Sequence, residues 1–206
     1  MLQRLTTIAS IGAIALANPG ATTAQQDLGF RYRAGKCVNA DGEEGLNPKF
    51  PGECGDLQGA DLQQLPLEGV DFSGANFRGA RMKGAKLRGA IFRGATLNGA
   101  DLRTCDLREA DFREANLERT IIESSDLTAA NFQDANMQRV QLGQSILRDA
   151  DLSGANLRAA DLRATDLTGA NMTRTRLRGA RGDSRTILPG TVTAEDLVRR
   201  GMRFIG

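Results

Sequence analysis

The chain has 206 residues, of which 40% are apolar, 25% charged and 4% aromatic, with 27 Lys and Arg against 25 Asp and Glu. That fits one soluble domain of modest size, and a formal charge of +2 gives no global pull toward nucleic acid or an anionic membrane, so such a partner would have to use a local patch. The absence of histidine excludes Ser-His-Asp and Cys-His nucleophile activation, His-ligated zinc and His proton shuttling.

Residues 1–24 carry one early positive charge at Arg4, an uncharged stretch over 5–17, and then the breaker pair Asn18 and Pro19. This pattern reads as a secretory signal peptide. The apolar stretch is too short to span a bilayer, and the small residues Thr22 and Ala24 suit signal peptidase, which places the mature start near Gln25. No cysteine follows the stretch to be lipidated and no twin arginine precedes it, so Sec-type export is the simpler route. An uncleaved membrane anchor is the rival reading; after cleavage no stable membrane insertion is expected.

Export changes how the cysteines are read. Cys37 and Cys54 flank a loop rich in Gly, Pro and acidic residues, and in an oxidising compartment they are expected to form a disulfide that ties an N-terminal cap over 25–54. A metal or redox role for the pair lacks both a CxxC spacing and a His partner. Phe30 and Tyr32 alternate with Arg31 and Arg33 ahead of Asp41-Gly42, the pattern of a small hairpin or strand turning at that dipeptide. The acidic run over 39–45 fails as a calcium loop, because Glu44 stands where an EF-hand needs Gly and Phe50 where it needs a bidentate Glu.

From Leu57 the chain repeats every five residues. All 25 positions reached in steps of five, from Leu57 to Leu177, are Leu, Phe, Met or Ile. Two residues before this centre Ala fills 15 of 25 places, and one before it Asp or Asn fills 16. An α-helix cannot hold such a pattern, since five residues advance the apolar position by about 140°. Two inward residues separated by one outward residue make a short piece of strand, and the remaining two must turn the chain. Phe72, Phe92, Phe112 and Phe132 recur at twenty, which sets four pentads per coil and stacks their rings; Phe77 falls outside that rule. Cys105 takes a place where Ala is usual and should be a buried, inert thiol.

Runs such as GADL, GANF, EADF, EANL and GANL identify the tract 55–180 as a member of the pentapeptide-repeat family by resemblance. The resemblance implies an all-β solenoid, a right-handed quadrilateral β-helix with the centre and the residue two before it pointing inward. Leu65 and Pro66, and Ile91, Ile121 and Ile146 in place of Asp or Asn, are expected to disturb it locally. Downstream, Leu188-Pro189-Gly190 stops the repeat, and Thr193 with Asp196 offers an N-cap pair for a short capping helix before Gly201, so 181–206 reads as a lid of the kind that closes many family members.

The outward Asp and Asn residues share columns, Asp106, Asp126 and Asp166 in one and Asp111 and Asp151 in another, but as repeat consensus they should bond local backbone rather than act as catalytic pairs. No enzyme activity and no cofactor are expected. Residues 72–100 hold no acid, and Arg103, Arg108 and Arg113 should lie one coil above Lys83, Arg88 and Arg93. With Arg78, these residues form a candidate surface for an anionic or acidic protein partner. The stacking of like charges implies that Arg88→Gln and Arg108→Gln would raise stability slightly, while Arg81 and Lys86 would sit favourably beside Asp101 and Asp106. Some cytosolic family members imitate the shape and acidity of DNA and bind topoisomerases; that alternative fits poorly here, because 55–180 carries 17 basic and 17 acidic residues. Exported family members occur in the bacterial periplasm and the thylakoid lumen, mostly without assigned activity. The expectation is therefore a secreted, periplasmic or lumenal scaffold that meets a protein rather than nucleic acid, as a monomer or a homodimer.

Overall fold

The computed structural model describes residues 31–33, 36–38 and 56–205. Strand β1 (Arg31–Arg33) pairs antiparallel with β2 (Lys36–Val38), with Arg31 opposite Val38 and Arg33 opposite Lys36. The expected hairpin is present, but its second strand starts before Asp41-Gly42, so that dipeptide is not its turn. The two-residue gap between the strands is the length a tight hairpin uses. The signal peptide, the acidic run and the Cys37 to Cys54 bond lie outside the described residues.

Beyond the hairpin, each outward residue bridges the residue twenty further on, in parallel and without a break from Asp56 with Asn76 to Asp161 with Arg181. Twenty residues, or four pentads, close each coil of a right-handed quadrilateral β-helix. One pentad shows why the pattern closes. Asp111 N donates back to Ala90 O, Phe112 N forward to Asn131 O, Glu114 N to Gln133 O, and Ala115 N across the turn to Phe112 O. The remaining donor, Arg113 N, is taken at 3.1 Å by the carboxylate of Asp111. Every backbone N–H of the unit is thus paired, as a structure with so much buried backbone requires.

The turn closed by Ala115 N has Glu114 at φ 57°, the signature of a type II turn. Glycine suits that place, yet ten successive corners from Thr104 to Asp149 use other residues. Left-handed backbone costs an L-residue about 1 kcal/mol, so the ladders on both sides are what hold these corners.

All 25 centres are buried. Phe92 stacks on Phe112 with ring centroids 4.9 Å apart and planes within 3°, and Phe112 stacks likewise on Phe132. Phe77, the ring outside the twenty-residue rule, meets Phe72 edge-on at 5.1 Å and Phe92 at 5.6 Å, so it buttresses the foot of the same column. Where a hydroxyl replaces Ala two before a centre, it is buried and donates to a centre carbonyl of the coil before: Thr120 to Leu97 O at 2.8 Å, Thr175 to Leu152 O at 2.9 Å. Cys105 uses the same geometry toward Met82 O, and burial pushes its thiol up to about 12. The folded protein should therefore leave Cys105 unlabelled by iodoacetamide at pH 8 while the urea-unfolded chain labels it; rapid labelling of the native protein, read by mass spectrometry, would contradict the packing.

The disturbances expected at Pro66 and the three isoleucines do not occur, since all four keep their twenty-residue bridges. An outward isoleucine forfeits only the carboxylate-to-backbone bond and still donates its own N–H, as Ile91 does to Val70 O. Pro66 sits in the first described coil and has no preceding described coil to which it would need to donate. The irregularity comes instead after Arg181, where Asp166 bridges Ile187, twenty-one residues on. Asp183 absorbs the extra residue. Its carboxylate accepts from Ala164 N at 2.8 Å, where the regular pattern would offer a carbonyl, and from the Arg185 backbone and guanidinium and the Thr186 hydroxyl.

These bonds, led by that from Ala164 N, hold Asp183 down to about 2 from the ordinary 3.8. A carboxyl group lowered by folding stabilises the fold fully above the ordinary value and ceases to do so as pH falls through the folded value. Melting temperature should fall steeply between about pH 4 and 2, and less steeply in Asp183→Asn, which lacks the ionisable group. Parallel curves for the two proteins would contradict this role.

The end of the rod is closed by helix α1 (Ala194–Arg199). Thr193 and Asp196 form the expected capping box. Leu197 is buried under the helix, and strand β4 (Arg203–Phe204) then pairs in parallel with β3 (Arg181–Gly182) as a fragment of one further coil. Gly182 stands where a centre would, and a Cβ there would come within 2.6 Å of Met202 Cε. Met202 fills from above the space the missing centre leaves. Arg200 completes the closure by donating to Met172 O at 2.7 Å and Thr175 O at 2.8 Å, carbonyls with no further coil above them.

Candidate interaction surface

The coil presents four outer walls. The first starts with residues 56–58, the second with 61–63, the third with 66–68 and the fourth with 71–73, each recurring every twenty residues. On them, all sixteen Asp and Asn side chains one before a centre accept the N–H two residues on, from Gln58 N on Asp56 to Thr173 N on Asn171. Asp106, Asp126 and Asp166 do share the third wall, and Asp111 and Asp151 the fourth. Each carboxylate is occupied by its own turn. Among the described residues no group of three or more Cys, Asp or Glu gathers as a metal site would require. A cavity of about 440 Å³ opens between the last coil and the segments flanking α1, lined by Thr173, Arg174, Thr175, Val192 and Arg200 among others, with no carboxylate in its lining.

The basic residues expected to face a partner are placed one above another as the twenty-residue register requires, Arg103 over Lys83, Arg108 over Arg88 and Arg113 over Arg93. The repulsion expected between them is cancelled by carboxylates. Arg103, Arg108 and Arg113 each fold back on the aspartate two residues earlier, at 2.5 Å from Asp101, Asp106 and Asp111. Arg88 reaches Glu109 at 2.6 Å and Arg93 reaches Asp111 at 3.1 Å. Hydrogen bonds from the Arg103 and Arg108 side chains hold Asp101 and Asp106 below the ordinary carboxylate value; at Asp111 burial pulls upward but Arg113 prevails. Arg81 pairs with Asp61 in the coil below, at 2.6 Å, rather than with Asp101, which Arg103 already occupies. Exposed pairs of this kind contribute little, because water and salt screen them. The sign nevertheless reverses the expectation for Arg88→Gln and Arg108→Gln, which remove partners instead of relieving repulsion. Arg78 and Lys83 make no ion pair among the described residues.

The signal for this neutralisation stands in the sequence as Asp-x-Arg at 101–103, 106–108, 111–113 and 161–163. Residues two apart on a strand lie on the same side, so aspartate and arginine in that spacing meet. A second zone went unmarked at the other end of the rod. Residues 167–182 contain no acid, and Arg158, Arg174, Arg176 and Arg178 are exposed with no carboxylate partner among the described residues.

Family models of the repeat match the chain twice, as pentapeptide repeats in eight copies over 56–94 and as a pentapeptide repeat region over 100–172. The chain belongs to the pentapeptide-repeat family. HetL, a pentapeptide-repeat protein involved in heterocyst differentiation regulation in the cyanobacterium Nostoc, is 31% identical over 63% of this chain and 70% of its own, with a TM-score of 0.42. A pentapeptide-repeat protein of the Arabidopsis thaliana thylakoid lumen is 40% identical over 50% of this chain and 69% of its own, with a TM-score of 0.33. QnrB1, a plasmid-mediated fluoroquinolone resistance protein, is 16% identical over 74% and 92% of the two chains, with a TM-score of 0.37. No curated protein sequence matches. Pentapeptide repeats thus account for the rod.

Proposed function

We propose that this pentapeptide-repeat chain is an exported, non-enzymatic interaction module that presents a rigid rod to a protein partner. The observation that carries this reading is the employment of all sixteen wall Asp and Asn side chains in their own turns, which commits these side chains to holding the backbone and makes the walls stiff supports for projecting side chains. Duplex mimicry toward a topoisomerase is not favoured, because 17 basic residues offset the 17 acidic ones over 55–180. Export rests on the charge and apolar pattern of residues 1–24.

Fractionation of the source cells followed by crosslinked capture tests both parts. The expected result is a chain beginning near Gln25 in an extracytoplasmic fraction, joined to a discrete protein adduct. A chain retaining Met1 in the cytoplasm contradicts export, and recovery of the rod without an adduct contradicts the interaction role.

A further inference from the structure

We propose that the C-terminal end of the first wall docks an acidic segment of a partner protein through Arg158, Arg176 and Arg178; this rests on the interaction reading above and names its seat. Arg158 and Arg178 occupy the same place in successive coils, about 5 Å apart, and Arg176 sits across the wall from Arg178. Arg174 flanks them at the preceding corner, with Arg139 at the corner toward the second wall below and Arg203 on β4 above Arg181 of that second wall. All six are exposed, and none meets a carboxylate among the described residues. Most other arginines of the rod are answered, Arg78 being an exception: Arg148 pairs with Asp166, Arg163 with Asp161 and Arg185 with Asp183, as Arg88, Arg103 and Arg108 pair in the earlier coils. The last carboxylate on the first wall is Glu118, so from Asn136 upward that face has only amides and guanidinium groups.

Planar guanidinium forks held on a flat β wall suit carboxylates or phosphates taken two oxygens at a time. Extent decides between a protein and a long polyanion. The zone from Arg139 to Arg203 spans three coil steps, about 15 Å, which fits a few consecutive acidic residues. Directly below it residues 96–135 carry nine acidic and four basic residues, so duplex DNA or a long anionic polysaccharide laid along the rod would meet like charge. The first wall also lacks the aromatic rings on which single-stranded bases stack.

The test is fluorescence anisotropy on the full chain with three labelled probes: a twelve-residue Glu-rich peptide, its Gln-rich analogue and a thirty-base-pair DNA duplex. The Glu-rich peptide should bind most tightly and lose about tenfold affinity between 50 and 200 mM NaCl. Arg158→Gln, Arg176→Gln and Arg178→Gln together should weaken it at least about tenfold, while Arg88→Gln with Arg108→Gln changes it less than about twofold. Circular dichroism on each variant confirms that the rod is intact. Equal binding of the Glu-rich and Gln-rich peptides, tighter binding of the duplex, or indifference to the triple substitution overturns the proposal. If any of these occurs while the cellular crosslink persists, the interaction reading survives and only this seat is wrong.

Discussion

Phe92→Ala should destabilise the rod by about 3–5 kcal/mol, as should Phe112→Ala, and the double variant should lose less than the sum. The size follows from burial: both rings are fully enclosed, and truncation leaves a void between coils pinned by backbone ladders above and below, so the walls cannot collapse into it. The coupling follows from contact. The two rings lie 4.9 Å apart and nearly parallel, a geometry that contributes about 0.5–1.5 kcal/mol beyond the area each buries, and that contribution is lost only once. Urea unfolding of the four members of the cycle measures it, with Leu152→Ala as a distant control that should add to either change. Strict additivity of the two phenylalanine substitutions would mean that the rings are not neighbours and would overturn the twenty-residue coil.

The second large effect is expected at the cap. Met202→Ala should cost about 2–4 kcal/mol, because Met202 is buried and stands in for the side chain that Gly182 lacks. Its loss opens the end of the core, so amide exchange should speed up first at Gly179, Arg203 and Ile205, whose N–H groups tie the cap to the last coil. Exchange that rises uniformly along the rod, or a cost below about 0.5 kcal/mol, would show that the cap is not seated on the core through this residue.

These two sites mark the boundary of what the residues disclose. The period of five, its slower period of twenty and the Thr193 and Asp196 cap are legible because each repeats or encloses a physical rule: alternation across a strand, stacking of identical rings, capping of a helix start. Phe77 looked like an exception only because its partners lie in other pentads. The extra residue near Asp183 was hidden, since Arg181 to Arg185 has the length of one more pentad and only the bonding of Asp183 shows that it is not. Charge was the harder matter. The stretch free of acid between 72 and 100 suggested unanswered charge, but the partners of Arg88 and Arg93, Glu109 and Asp111, stand about twenty residues away in sequence and one coil away in space. The run over 167–182 was equally free of acid and has no Asp-x-Arg, but whether an arginine outside that local pattern is answered depends on its neighbours in other coils, which no local window contains.

Site-directed photo-crosslinking in the source cells tests most directly whether this rod works by presenting one of its walls. A photoreactive side chain at Gln138, on the first wall one coil below Arg158, should give a discrete protein adduct, and one at Thr168, on the opposite third wall, should not. Adducts of equal yield from both positions, or from Thr168 alone, would contradict the account.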